Sequence, residues 1–179
     1  MVKLCFAAGI VYAGRMIIKF LPFLAPLLGS VLASAQTPSI VGTWVLAGAD
    51  KLLADGSRVS DFGDSPHGLI IFTADGRYSV QIYRADRVAF SSGDKLKGTA
   101  EEYKAASLGM SAHFGRYTVD PGRHTISFHI DRAAFPNWDD TTQVRTYELK
   151  GDELSWRVPA RPDGSVPITI VRRVKWHSA

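Results

Sequence analysis

From residue 77 the chain reads Arg-Tyr-Ser-Val-Gln-Ile-Tyr, and the apolar side chains fall at every second position. Tyr78, Val80 and Ile82 share one face of an extended segment, with Ser79, Gln81 and Tyr83 on the other, because side chains alternate across a strand. The same period of two recurs in Ile126, Phe128 and Ile130, opposed by Thr125, Ser127 and His129. Near the end, Ile168, Ile170, Arg172, Val174 and Trp176 fall on one face. Runs of this kind, bounded by turn residues, predict strands over Thr43–Gly48, Gly68–Thr73, Arg77–Tyr83, His113–Val119, His124–Asp131, Gln143–Lys150, Glu153–Val158 and Pro167–Trp176. The apolar face of each is assigned to the interior.

The turn chemistry fits hairpins. Asp75-Gly76, Pro121-Gly122 and Gly151-Asp152 supply the residues that tight reversals require, and Asp55-Gly56 sits in a longer connection. A single helix interrupts the strands. In "GTAEEYKAASLG", residues 98–109, Thr99 and Glu102 form a Thr-x-x-Glu capping box and Gly109 supplies a stop. Only two or three turns fit, so the helix is expected to lean on the strands or to close one end. About eight strands joined mostly by tight turns point to an all-β antiparallel barrel or sandwich.

The two ends of the chain differ in composition. Residues 1–36 contain Lys3, Arg15 and Lys19, no acidic residue, and an apolar run from Phe20 to Leu32 that ends in Ala33-Ser34-Ala35. This is the layout of a signal peptide occupying residues 1–35, which leaves a mature domain of residues 36–179 beginning at Gln36. Met16-Ile17-Ile18-Lys19 also forms a compact basic start, so Met16 is a second candidate for translation initiation. Pro22, Pro26 and Gly29 interrupt the run, which is shorter than the roughly 20 residues of a spanning helix; the alternative reading is an uncleaved anchor. Secretion or a periplasmic location follows from the leader. Of the 21 Lys and Arg residues, three lie in this leader, so the remainder carries 18 basic against 17 acidic residues. That balance gives no basic surface for nucleic acid. Cys5, the only cysteine, also lies in the leader, so the mature chain has neither disulfide nor thiolate chemistry.

Four stretches, taken in this order and spacing, resemble the bacterial and fungal lipocalin-like domain family, small β-barrel proteins mostly of unassigned function. They are "IVGTWVL", "DFGDSPHGLIIFTADGRYSVQIYR", "GTAEEYKAASLGMSAHFGRYTVD" and "FPNWDDTTQVRTYEL", and the resemblance spans nearly all of Ile40 to Trp176. It implies a lipocalin-like barrel with an interior cavity and no one reaction. It also implies a Gly-x-Trp on the first strand and a cation from the last strand over the indole. Here these are Gly42, Trp44 and Arg172, with Arg173 in its place if the register slips by one. A guanidinium over an indole contributes about 0.5–2 kcal/mol, and the role is to close the barrel.

The candidate chemistry lies in the polar and aromatic residues of these stretches: Tyr78, Gln81, Tyr83, Tyr103, His113, Tyr117, His129, Trp138 and Arg145. Each pairs a packable body with a hydrogen-bonding group, as a cavity that orients a ligand requires. If the protein is an enzyme, His113, Tyr103 and Arg145 are the catalytic candidates, since His can shuttle a proton and Arg can stabilise an enolate. No metal is expected: His124 and His129 face opposite sides of one strand, and no His-x-His or His-Glu-x-x-His pattern occurs. Asp139-Asp140 reads as a loop pair of capping carboxylates. No nucleophile elbow or phosphate loop is present, and no cofactor is implied. Three functions remain: a carrier of a small, mostly apolar molecule, a cofactor-free isomerase or cyclase of natural-product type, and a stability factor with a filled core. A cavity larger than about 300 Å³ separates the first two from the third.

Overall fold

The computed structural model describes residues 39–175; the expected leader, Trp176 and His177 lie outside them. The strands in chain order are β1 (Gly42–Leu52), β2 (Arg58–Ser60), β3 (His67–Phe72), β4 (Arg77–Tyr83), β5 (Met110–Asp120), β6 (Thr125–Ala133), β7 (Thr142–Lys150), β8 (Glu153–Arg157) and β9 (Val166–Arg173). Helix α1 (Ala100–Leu108) precedes β5, and a 3-10 turn, Pro136–Trp138, precedes β7. All pairings are antiparallel; from β3 to β9 they join neighbours in sequence, while β1 pairs with β2, β3 and β9. The sheet therefore closes into a barrel of eight strands, which leaves the ring without an open edge.

The ninth strand, β2, has no counterpart in the sequence pattern. It is three exposed residues, Arg-Val-Ser, too short to show a period. Asp50 of β1 pairs with Ser60 on one side and Ile168 on the other, so β2 extends the β1 edge that β3 occupies lower down.

Within the eight-stranded ring, the short reversals lie at one end of the barrel. The β3–β4, β5–β6 and β7–β8 turns are there, and Gly76 (φ 82°) and Gly151 (φ 58°) adopt the left-handed backbone the tight turns need. The connections at the other end are long, and α1 belongs to one of them. Its capping box is formed as expected: Thr99 Oγ1 accepts from Glu102 N at 3.2 Å and Glu102 Oε2 accepts from Thr99 N at 2.7 Å. The helix buries no residue, so it flanks the open end and adds nothing to the core. No helix among the described residues is long and apolar enough to cross a membrane.

The core fills the short-turn end. Trp44, Phe72, Phe128, Trp156, Ile70 and Ile126 are all essentially inaccessible. The expected inner faces of β4 (Tyr78, Val80, Ile82) and β6 (Ile126, Phe128, Ile130) are buried. The face expected for the last strand is inverted. Thr169 and Val171 are buried there and Arg173 points inward, whereas Arg172 is exposed and pairs with Glu153 at 3.5 Å. The register explains it: Trp44 stands opposite Arg173, and residues directly opposite in an antiparallel pair share a face.

Arg173 is accordingly the closing cation, in place of Arg172. Its Cζ lies 4.1 Å from the Trp44 ring centroid. Its Nη1 and Nη2 donate to the carbonyls of Val41 (2.6 Å) and Ser39 (2.7 Å), and Trp44 Nε1 donates to that of Ile40 (2.9 Å). The segment before β1 is thereby stitched across the closed end. Gly42 has φ 141°, and a Cβ there would meet Arg173 Nη1 at 2.8 Å. The glycine of Gly-x-Trp is thus the space the guanidinium occupies.

Candidate functional site

Above this core the barrel encloses a cavity of about 590 Å³ that opens between the long connections. Its walls are mostly apolar, with Val80, Ile82, Ala49 and Trp156 contributed by three strands. Phe135 and Trp138 overhang it from the β6–β7 connection, and Ser107 and Leu108 reach it from the end of α1. The volume is within the range of small-molecule sites, roughly 300–1,000 Å³, so the filled-core expectation does not describe this barrel.

The polar groups of the cavity form two sets, one at its mouth and one at its floor, and the floor set is the buried one. His113 on β5 and Arg145 on β7 are 3% and 4% exposed. Arg145 Nη2 donates to Gln143 Oε1 at 2.8 Å and lies 3.4 Å from His113 Nε2, while His113 Nδ1 is 2.9 Å from the Tyr78 hydroxyl. A guanidinium only donates. Nε2 must therefore carry the lone pair, and Nδ1–H donates to Tyr78. Burial first, and the Arg145 charge second, push the His113 pKa down to about 3. Burial also lowers Arg145, but only to about 10, and raises the Tyr78 phenol well above its usual range. At neutral pH the floor holds a neutral imidazole, a neutral phenol and one positive charge. That charge stacks on Phe128, with Cζ 4.6 Å from the ring centroid.

Of the expected ligand residues, His113, Arg145 and Trp138 line the cavity together, and Tyr78 supports His113 from behind. The Trp138 and His113 rings meet edge to face, 6.0 Å apart. The others lie elsewhere. Gln81 and Tyr83 are on the outer face of β4, where the Tyr83 hydroxyl reaches Gln81 Oε1 at 3.3 Å. His129 is on the outer face of β6, bonded to Thr142 Oγ1 at 2.7 Å. Both placements follow from the inward turn of their neighbours. Tyr117 faces the closed end, packing on Phe72 at 4.9 Å and donating to Thr73 O at 2.9 Å. Tyr103 lies on the far side of α1, where its hydroxyl donates to Lys95 O at 2.8 Å and accepts from Gly98 N at 3.1 Å. It holds the preceding loop in place and does not reach His113 or the cavity. Asp139 and Asp140 serve the loop: Asp139 Oδ1 accepts from Ala133 N at 2.7 Å, and Asp140 pairs with Arg132 at 3.0 Å.

The sequence reading missed Gln143, Trp156 and the mouth pair Asp61 and Arg161. Gln143 lies two residues before Arg145 and Trp156 two after Leu154, so period two would have placed both inside. Asp61 and Arg161 are 100 residues apart and have no such signal. Arg161 grips Asp61 with two hydrogen bonds, 2.9 and 2.6 Å, joining the β2–β3 and β8–β9 connections at the mouth. Arg161→Ala is expected to speed release of any cavity ligand several-fold, measured by stopped-flow displacement. Unfolding free energy should change by no more than about 1 kcal/mol, because Arg161 is partly solvated and Lys51 remains beside Asp61.

A family model described as a lipocalin-like domain matches residues 41–177. The 4'-hydroxy-3'-methoxypropiophenone carrier protein of Aspergillus oryzae is 32% identical over 82 residues, covering 42% of this chain and 74% of that protein. A solved lipocalin-like protein from Bacteroides uniformis aligns over 75% of this chain and 97% of its own, at 17% identity and a TM-score of 0.39.

Proposed function

The chain belongs to the lipocalin-like domain family, and on that footing we propose that it carries one small, mostly apolar molecule in the barrel cavity. The observation that bears the reading is the cavity itself, about 590 Å³ with apolar walls and a few convergent polar groups at its floor. The A. oryzae relative is named as a carrier of a small aryl ketone. A molecule of that class, flat and apolar with oxygens at its ends, suits aromatic walls and a donor-bearing floor. The leader supports export, so the carrier would act outside the cytoplasm; intact mass of the secreted or periplasmic protein should then correspond to a chain beginning at Gln36.

An isomerase or cyclase in the same cavity would need His113 as its base. That imidazole directs its lone pair at Arg145 and has a pKa near 3, which makes it a weak proton acceptor at neutral pH. The geometry therefore favours carriage over turnover. Titration with N-phenyl-1-naphthylamine, a neutral probe that brightens in apolar surroundings, is expected to saturate at one molecule per chain. Competition by an aryl ketone should reverse the signal. A probe that finds no saturable site would sink the carrier reading.

A further inference from the structure

Arg145 has five N–H donors, and both of its hydrogen bonds among the described residues leave from Nη2. Its Nε is fully buried with no partner, and so is Trp156 Nε1. Buried donors of this kind are rare and ask for an explanation. The two residues are neighbours: Tyr147 stands opposite Trp156, and Arg145 is two positions before Tyr147 on the same inner face. Both line the same cavity. The charge is equally unanswered. The acidic residues of the cavity lining are Asp50 and Asp61, and each has a cation already, Arg58 at 2.6 Å and Arg161 at 2.6 Å. His113 and Tyr78, which face the guanidinium, supply no negative charge.

We propose that the cavity floor is an oxyanion subsite, in which Arg145 and the Trp156 indole N–H donate to a delocalised oxyanion at one end of a planar, otherwise apolar ligand. The inference rests on the carrier reading and sharpens it, because a carrier of neutral apolar molecules needs no unpaired cation. Two ligand classes present the required group: an ionised phenol conjugated to a carbonyl, and an aryl carboxylate. For the phenol, binding breaks the O–H bond and the proton passes to the buffer.

The test uses the full chain and three probes: 4'-hydroxy-3'-methoxypropiophenone, its 4'-O-methyl ether, and 4-methoxybenzoate. In the wild type the phenol is expected to bind as phenolate, visible as its long-wavelength absorption band at a pH where free phenol is still protonated. The phenol or the benzoate should bind ten- to a hundred-fold tighter than the ether, the range of a charge-assisted hydrogen bond. Arg145→Met should remove that advantage, so that neither the phenol nor the benzoate binds tighter than the ether, whereas Arg145→Lys should keep part of it. An advantage for the phenol alone assigns the site to phenolates, and one for the benzoate alone assigns it to carboxylates. Equal binding of all three probes in both proteins overturns the oxyanion subsite and leaves the carrier reading standing. Failure of all three, and of N-phenyl-1-naphthylamine, overturns both. The absorption band needs no variant, so a misfolded Arg145→Met cannot rescue or sink the proposal.

Discussion

Trp44→Ala is expected to cost about 3–5 kcal/mol of folding stability, a large share of the roughly 5–15 kcal/mol a domain possesses. Three losses add up. The indole is completely buried against the core, so its removal leaves a cavity beneath the closed end. The Ile40 carbonyl loses the donor it holds at 2.9 Å. The Arg173 guanidinium loses the aromatic face it covers at 4.1 Å, while its bonds to Ser39 and Val41 remain. Arg173→Ala should cost less, and a double-mutant cycle should give a coupling of about 1 kcal/mol. Arg172→Ala is the control. Its side chain lies outside the barrel on Glu153, so the change should stay within about 0.5 kcal/mol. Urea unfolding followed by far-ultraviolet circular dichroism measures all four. Equal losses for Arg172→Ala and Arg173→Ala would contradict the register of β1 and β9.

That register marks a limit of what residue patterns can convey. The two neighbouring arginines are distinguished by a shift of one residue, and such a shift exchanges the faces of a strand. In β9 the alternation is ambiguous, because Ile168 and Ile170 fill the outer face as Thr169 and Val171 fill the inner one. On β1 the register shifts between Leu46 and Gly48, so the inner set passes from Trp44 and Leu46 to Ala49. A second irregularity lies at Phe114 and Gly115, where a Cβ on the glycine would stand 2.0 Å from the His129 carbonyl oxygen. Bulges of this kind insert a residue without a distinctive sequence. Where alternation was clean, as in β4 and β6, the inner residues were legible.

The site was legible in the same uneven way. His113, Arg145 and Trp138 were found by residue type within the motifs. Gln81, Tyr83 and His129 were chosen by type although the alternation of their own strands turned them outward. Tyr103 could not be placed, because α1 has no apolar face to orient it. Trp156 was hidden because a tryptophan on an inner face reads as core. Only its unpartnered N–H, seen beside Arg145, gives it another role.

Arg145→Met should stabilise the protein at neutral pH by about 1–3 kcal/mol while it removes oxyanion binding, since a buried charge without a counter-charge is costly and a methionine of similar volume is not. The pH dependence then tests the arrangement around it. In the wild type His113 has a folded pKa of about 3 against an ordinary value of 6.5. Between these values the unfolded chain binds a proton that the native protein does not. Stability therefore falls as pH falls through this window, by up to about 1.4 kcal/mol per pH unit. The contribution is fully present above 6.5, and below 3 nothing more is lost from this group. The carboxylates held low by hydrogen bonds, Asp55, Asp75 and Glu102 among them, add their losses only below about pH 4.5, so the interval from 6.5 to 4.5 reports on His113. His113→Phe should flatten the slope there. Arg145→Met should leave that slope largely in place, because burial is the larger cause of the shift. It should end the loss at a higher pH, because the neighbouring charge is gone. Urea midpoints at pH 7.5, 5.5 and 4.5 measure the slope, and the difference between Arg145→Met and wild type at pH 3.5 measures its end, since the carboxylates are common to both proteins. An Arg145→Met protein that is less stable than wild type at pH 7.5 would mean that the guanidinium holds the floor together, and its cost would not need a ligand to explain it.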